Sequence, residues 1–338
     1  MSGFVVLSLQ PGLAPMEAKL AEQLPERDSW RYEPKWDGFR CLAFRAGDEV
    51  FLQSKGLKPL NRYFPDVVDM LRGLHAERFI LDGELVIPVG KSLSFDALQM
   101  RLHPAESRVR KLAAETPAEF ILFDCLDNGV PLHGMPFEDR RAALEALHAA
   151  EHEPRLLLSP QTRQKQDALA WLDEVGPQLD GVVAKRADLP YLPGERAMIK
   201  VKRMRTADCV VGGFRYGSGS REVASLLLGL FDDAGRLNHV GFTSNLPRDD
   251  RGALTRELEA LIEPPGFTGD APGGPSRWSN GRSQEWQPLR WERVAEVRYD
   301  HVTAGRFRHG TRFLRWRPDK APEQCRMDQF DPRGADRP

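Results

Sequence analysis

The residues best suited to chemistry lie in Glu33-Pro34-Lys35-Trp36-Asp37-Gly38-Phe39-Arg40, where one lysine stands among an acid, an aromatic ring, a turn glycine and an arginine. A free lysine amine has a pKa near ~10.4, so at neutral pH only about one in a few thousand carries the lone pair needed for attack. Burial beside other cations, or near a metal ion, is how a protein converts a lysine into a covalent nucleophile. A drop to about 8 corresponds to roughly 3 kcal/mol, at ~1.36 kcal/mol per unit. The bland alternative is a surface strand running into an Asp-Gly turn, with Lys35 in solvent. Taken alone, a K-x-D-G does not decide between these readings.

Four later stretches supply what transfer of a nucleotide to Lys35 would need. Leu81-Asp82-Gly83-Glu84 puts carboxylates in an otherwise apolar strand, where Glu84 could accept bonds from sugar hydroxyls or hold a magnesium ion; an edge acid facing water is the ordinary reading. Phe120-Ile121-Leu122-Phe123-Asp124 offers a ring for stacking on a purine, although a strand aromatic is usually plain core. Asp180-Gly181-Val182-Val183-Ala184-Lys185-Arg186 has an acid at one end of an apolar strand and two cations at the other. Lys200-Val201-Lys202 turns both lysines to one face by the period of two. Two ammoniums on one face repel unless an anion lies between them, which suits a phosphate; lysines guarding an exposed strand edge are the alternative.

The elements that must position these groups are read from periodicity and punctuation. Pro15 to Leu24 has helical spacing. Trp30 to Lys35 and Phe39 to Arg45 read as strands joined into a tight hairpin by Asp37-Gly38. Glu49 to Gln53, Phe79 to Ile87, Glu119 to Leu126, Leu156 to Ser159, Gly181 to Ala184 and Ala197 to Lys202 continue the strand pattern. Helices are expected over Pro65 to Leu74, Phe95 to Leu102, Pro136 to His148 and Gln166 to Glu174. After Arg203 short strands dominate (Ala207 to Arg215, Ala224 to Phe231, Leu237 to Thr243, Trp291 to Asp300), with one helix near Arg248 to Ile262 and a long loop from Pro264 to Gly281. The fold expected is α+β: a mixed-sheet domain over 1–204, then a small OB-type β-barrel over 205–322, then a disordered tail over 323–338.

Composition sets the frame. A chain of 338 residues with 41% hydrophobic and 29% charged residues can build two cores. It has neither an apolar run long enough to cross a membrane nor a secretory leader, so the expected location is the cytoplasm. The four cysteines are widely spaced without a C-x-x-C pair and read as reduced core residues rather than a zinc site. With 48 Lys plus Arg against 49 Asp plus Glu, net charge gives no hint of a nucleic-acid partner, but 196–205 and 306–320 are locally basic.

In this order the motifs resemble those of the covalent nucleotidyltransferases, and specifically the ATP-dependent DNA ligases. Lys35 to Arg40 is similar to the nucleophile motif K-x-D-G-x-R, Asp82-Gly83-Glu84 to the D-G-E strand, and Phe123-Asp124 to the adenine-stacking motif. Asp180 to Val183 is similar to E-G-h-h, Lys200 and Lys202 to K-x-K, and Arg317-Pro318-Asp319-Lys320 to R-x-D-K. Six ordered motifs over residues 33 to 320 leave little room for accident. The compact size and the ending look most like the small bacterial ligase C group. Three positions depart from the pattern: Lys55 stands for an arginine, Asp180 for a glutamate, and Met198 for an aromatic residue.

The resemblance implies three steps: attack of Lys35 on ATP to give a lysyl-AMP, transfer of AMP to the 5′-phosphate of a DNA nick, and sealing by the 3′-hydroxyl. It makes Lys35, Lys200, Lys202, Asp319 and Lys320 catalytic, and assigns ATP contacts to Glu33, Arg40, Glu84, Phe123, Lys200, Lys202 and Arg317. Asp180 and Glu84 would hold Mg2+, with Mn2+ as a substitute, and Lys55, Arg203 and Arg312 would meet DNA. Arg317, Asp319 and Lys320 would close over ATP about a hinge at Arg203 to Thr206. The expected enzyme is a monomer acting on nicked duplex DNA in repair, with no DNA-binding domain ahead of the core, so that its nick affinity is modest or is raised by repair-protein partners. A capping guanylyltransferase shares K-x-D-G but would carry GMP and lacks this ending; RNA ligases usually carry a different second domain; a silent DNA-binding module has no use for Lys35, Glu84 and Lys200 together.

Overall fold

The computed structural model describes residues 3–90, 92–173, 179–246, 251–273 and 285–330. The chain divides into two compact units, Met1–Arg203 and Met204–Pro338. Residues 248–250 of the expected second-unit helix, Glu174, 274–281 of the expected loop and 331–338 of the expected tail lie outside the described residues.

The first unit is built from two sheets. Its strands are β1 (Ala18–Leu20), β2 (Trp30–Trp36), β3 (Phe39–Ala46), β4 (Glu49–Ser54), β5 (Arg78–Val86), the short pair β6 (Pro88–Val89) and β7 (Ser92–Leu93), β8 (Glu119–Asp127), β9 (Leu156–Leu158), β10 (Leu179–Arg186) and β11 (Met198–Val201). Five helices are interspersed: α1 (Pro65–Arg72), α2 (Phe95–Arg101), α3 (Glu106–Glu115), α4 (Phe137–Ala150) and α5 (Lys165–Asp173). One sheet runs β4-β3-β5-β8-β9 and the other β1-β11-β10-β2. Leu42, Phe44, Ile80 and Leu126 from the first sheet share a core with Met16, Tyr191 and Met198 on the side of the second. A larger core joins the outer face of the five-stranded sheet to α1, α2 and α4. Ala168 and Trp171 of α5 pack with Tyr32, Val182, Ala184 and Val201 of the other sheet.

Two local expectations fail here. Pro15 to Leu24 is not a helix: Ala18–Leu20 pairs in parallel with Met198–Lys200. Met16 and Leu24 are buried in different clusters and Leu20 is exposed, so their helical spacing never formed one face. The Asp37-Gly38 turn is not a hairpin either, because β2 pairs with β10 while β3 pairs with β4 and β5. The turn instead carries the chain from one sheet to the other. Gly38 is required at this crossing, since a β-carbon there would lie 2.3 Å from the Leu85 carbonyl oxygen.

In the second unit β12 (Arg205–Tyr216), β13 (Val223–Phe231), β14 (Leu237–Thr243), β15 (Gln287–Pro288), β16 (Val294–Tyr299), β17 (Val302–Thr303), β18 (Arg306–Phe307) and β19 (Arg312–Trp316) accompany one helix, α6 (Arg251–Glu259). The main strand order is β14-β13-β12-β16-β19. Thr243 closes the ring onto Thr311: its hydroxyl donates to the Thr311 carbonyl at 3.0 Å, and the Thr311 N–H donates to the Phe242 carbonyl at 3.2 Å. Five antiparallel strands in this order, with a helix between the third and fourth, form an OB-type barrel. Residues 323–330 of the expected tail are ordered. Pro322–Gln324 and Met327–Phe330 form short 3-10 turns, Cys325 is fully buried, and the Phe330 ring packs on Tyr299 and Phe307 at 5.8 and 5.1 Å. Polarity concealed this segment because its few apolar groups are spaced for a barrel end rather than a strand or helix face. All four cysteines are buried and free, and no described helix is long and apolar enough to cross a membrane.

Candidate active site

Lys35 lies at the end of β2, where the chain crosses between the sheets of the first unit, and faces a cleft of about 400 Å³ lined from both. Across from it, the β2–β10 ladder shifts register between Leu179 and Gly181. Such a bulge re-aims the extra residue, and here that residue is Asp180. Gly181 has φ near +146°, and a β-carbon on it would meet the Val201 carbonyl oxygen at 2.1 Å. Only glycine lets β10 come this close to β11, and the approach places Asp180 between two lysines. Its Oδ2 is 2.6 Å from Lys35 Nζ and 3.1 Å from Lys202 Nζ. Burial works against the charge on Asp180, but these two ammoniums outweigh it and hold the carboxyl below its usual range.

Lys200, on β11 opposite Val183, lines the same cleft. Burial first, then the ammoniums of Lys35, Lys202 and Lys55, hold Lys200 below the usual lysine range. Lys55 is exposed on the loop after β4 and pairs with Glu17 at 3.2 Å. The cleft thus gathers more cations than anions, which favours a polyphosphate.

The opposite wall comes from the five-stranded sheet. Arg40 and Glu84 are cross-strand partners, and the Gly38 N–H donates to Glu84 Oε1 at 3.2 Å. Burial pushes the Glu84 carboxyl up to about 7, against the pull of Lys35 and Arg40 and with the help of Asp37 and Asp82. Arg40 donates from Nε and Nη2 to the two oxygens of buried Asp82 at 2.9 and 2.6 Å, and Tyr191 donates its hydroxyl to the same carboxylate at 2.6 Å. One edge of the Arg40 guanidinium is therefore fixed while its remaining nitrogen stays available.

Phe123 presents its half-buried ring to the cleft, with the Arg40 guanidinium 5.2 Å and Lys185 Nζ 4.6 Å from its centroid. The next residue, Asp124, points into the core and takes a two-pronged bond from fully buried Arg140 at 2.8 and 2.9 Å, which anchors this end of β8. Glu33 is nearly inaccessible. Its Oε2 lies 2.8 Å from Lys185 Nζ, and its Oε1 accepts from Gln161 Nε2 at 3.2 Å.

The chemistry of the donors suits a divalent ion. Asp180 and Glu84 both face Lys35, and a small hard cation takes one or two carboxylates and completes its shell with water and substrate phosphates. Among the described residues no group of three or more His, Cys, Asp and Glu side chains is placed to hold a metal ion by itself.

The R-x-D-K residues gather separately, within the second unit. Arg317 Nη1 lies 2.9 Å from both oxygens of Asp208, Lys320 Nζ lies 2.7 Å from Asp208 Oδ2, and Arg317 also pairs with Asp319 at 2.8 Å. The hydrogen bond from Arg317 holds the Asp319 carboxyl down to about 2. Arg203 and Arg312 are exposed. Sequence reasoning did not assign Asp82, Tyr191, Lys185 or Asp208 to the site. Asp82 and Glu84 share a face by the period of two, and Lys185 ends the strand begun by Asp180, so those two had a signal; Tyr191 and Asp208 had none in sequence.

Comparison with known proteins agrees with this architecture. Residues 11–202 match the ATP dependent DNA ligase domain and residues 219–320 the ATP dependent DNA ligase C terminal region. The chain is 46% identical to DNA ligase C2 of Mycolicibacterium smegmatis, covering 96% of each, and 43% identical to DNA ligase C of Mycobacterium tuberculosis, covering 96% of this chain and 95% of that one. The crystal structure of the ligase domain from M. tuberculosis LigD aligns over 93% of this chain and 98% of that one, at 29% identity and a TM-score of 0.50. The chain belongs to the ATP-dependent DNA ligase family and is an enzyme of that class.

Proposed function

We propose that this chain seals nicks in duplex DNA by forming a lysyl-AMP on Lys35 at the expense of ATP. The observation that carries the reading is the placement of the K-x-D-G lysine in a cleft with a shared carboxylate, clustered cations and an aromatic ring. Attack requires Lys35 to lose its proton and leave Asp180, since an ammonium hydrogen-bonded to a carboxylate has no free lone pair. Lys200 and Lys202 then neutralise the α-phosphate as pyrophosphate departs. Phe123 and Glu33 receive the adenine, and the free edge of Arg40 and Oε2 of Glu84 receive the ribose.

Asp180 and Glu84 would hold Mg2+, or Mn2+ in its place, which supplies charge neutralisation at the phosphates and competes with Lys35 for Asp180. Arg317, Asp319 and Lys320 serve the pyrophosphate in the first step. Lys55, Arg203 and Arg312 meet the DNA backbone, so sealing weakens with salt and shows little sequence preference. A role in DNA repair is part of this proposal.

The test offers α-labelled ATP or GTP with magnesium, then chases with nicked DNA or nicked RNA. A Lys35-dependent AMP adduct that discharges on nicked DNA is expected. A GMP adduct, or discharge only on RNA, would overturn the assignment.

A further inference from the structure

Behind the nucleotide-facing surface of the cleft sits a buried lysine with no part in the phosphate chemistry. Lys185 is only 3% exposed. Its ammonium is 2.8 Å from Glu33 Oε2, donates to the Phe123 carbonyl at 3.0 Å, and lies over two rings, 4.6 Å from the Phe123 centroid and 4.7 Å from that of Phe137. One cation therefore touches both groups that are proposed to receive the base. Burying a lysine is unfavourable unless it is paired and hydrogen-bonded, and here every direction is met by a carboxylate, a carbonyl or an aromatic face.

We infer that Lys185 is the positioning residue that sets nucleobase selectivity, admitting 6-aminopurine triphosphates and rejecting 6-oxopurines. The inference rests on the adenylation reading above. The logic is one of donors and acceptors. An ion-paired carboxylate offers only acceptors. Lys185 holds one Glu33 oxygen and Gln161 the other, which aims the remaining lone pairs of the carboxylate. A 6-amino group donates to such an edge. A 6-oxo group presents another acceptor to it and is repelled. The same ammonium fixes Phe123 through its carbonyl and its ring, so the stacking surface and the reading edge share one anchor. Without it, Glu33 has Arg141 Nη1 at 3.9 Å from Oε1 as a remaining cation and would shift toward it.

The experiment measures adduct formation on Lys35 with α-labelled ATP and ITP over a concentration series, in wild type, Lys185→Met and Lys185→Arg. Lys185→Met is expected to lower the ATP-over-ITP preference in kcat/KM by about 10- to 100-fold, the range for a lost hydrogen bond to a charged group, through KM for ATP with kcat nearly unchanged. Lys185→Arg restores most of the preference because it keeps the cation. An equal loss for both nucleotides, or an unchanged ratio, would overturn the inference. If Lys185→Met does not fold by thermal melting, Gln161→Leu takes its place: it removes the other donor to Glu33, and an unchanged ratio there overturns the proposal as well. Absence of any AMP adduct in wild type is a different failure, that of the adenylation reading itself.

Discussion

Asp180 and Asp208 each lie, nearly buried, between two cations, one pair in each unit of the molecule. Asp180 serves Lys35 and Lys202; Asp208 serves Arg317 and Lys320. The difference lies in what surrounds them. Asp180 protrudes from a bulge, near the lysine-lined cleft, where burial and then the neighbouring ammoniums hold Lys200 below its usual range. Asp208 sits on a regular ladder opposite Glu296, and its main partner is an arginine held by two carboxylates. A guanidinium never gives up its proton in water, whereas an ammonium does so when burial and neighbouring cations favour it. On the proposed reading, similar ion-pair geometry serves a nucleophile in the first cluster and an electrostatic clamp in the second.

The strongest test converts the first kind of cluster into the second. Lys35→Arg keeps a cation for Asp180 and removes the amine nucleophile, so AMP adduct formation should fall below detection while the melting temperature stays close to wild type. An adduct of ordinary yield would place the nucleophile elsewhere. Next in size comes the paired substitution of the two carboxylates. Asp180→Asn takes away the carboxylate shared by Lys35 and Lys202 and should slow adenylation by about 10²- to 10³-fold, the loss typical of one preorganised electrostatic group. Asp208→Asn should slow it by only about tenfold, since Asp319 still holds Arg317. Equal losses measured by single-turnover adenylation would erase the contrast.

A smaller effect is expected within the clamp. Arg317→Lys sacrifices the bidentate contact to Asp208 but preserves the charge, and should reduce adenylation roughly three- to tenfold. Sealing of DNA that already carries a 5′-adenylate should be spared, and Asp319→Ala should follow the same pattern. Equal loss in both assays would mean that these residues do more than handle pyrophosphate.

Both clusters were partly visible in the amino-acid sequence. Local motifs singled out Lys35, Glu84, Asp180, Lys200 and Lys202, because nucleotide chemistry dictates residue type and close spacing together. The partition of the β2–β3 turn between two sheets was not legible: an Asp-Gly between alternating runs is the ordinary signal for a hairpin, and only tertiary pairing redirects it. The helical spacing of Met16, Leu20 and Leu24 misled for a similar reason, since a three-residue strand is recruited by β11 rather than by its own pattern. The supporting partners were the least legible. Tyr191 reaches Asp82 across 109 positions and Arg317 reaches Asp208 across 109, so nothing near either residue in sequence predicts its role. The OB-type barrel itself was legible from its run of short strands, whereas its closure through the Thr243–Thr311 bridge had no local signal.

A last test, on stability rather than rate, is a titration that should belong to the first cluster alone. Burial raises Glu84 to about 7 from an ordinary value of 4.5, with Lys35 and Arg40 opposing the shift and Asp37 and Asp82 adding to it. Between those two values the folded protein holds a proton that the unfolded chain has released. Stability therefore falls as pH rises from about 4.5 to about 7 and is flat with respect to this group on either side. The full span amounts to about 3 kcal/mol, at ~1.36 kcal/mol per unit. Glu84→Gln removes the titrating group and should flatten the difference in unfolding free energy between pH 5 and pH 8, as read by denaturant titration at both. In the second cluster Asp319 is held at about 2 by Arg317, and Asp319→Asn should leave the same difference unchanged. If the two variants respond alike, the carboxylate that titrates near neutrality does not lie beside Lys35, and the electrostatic distinction between the clusters fails at that point.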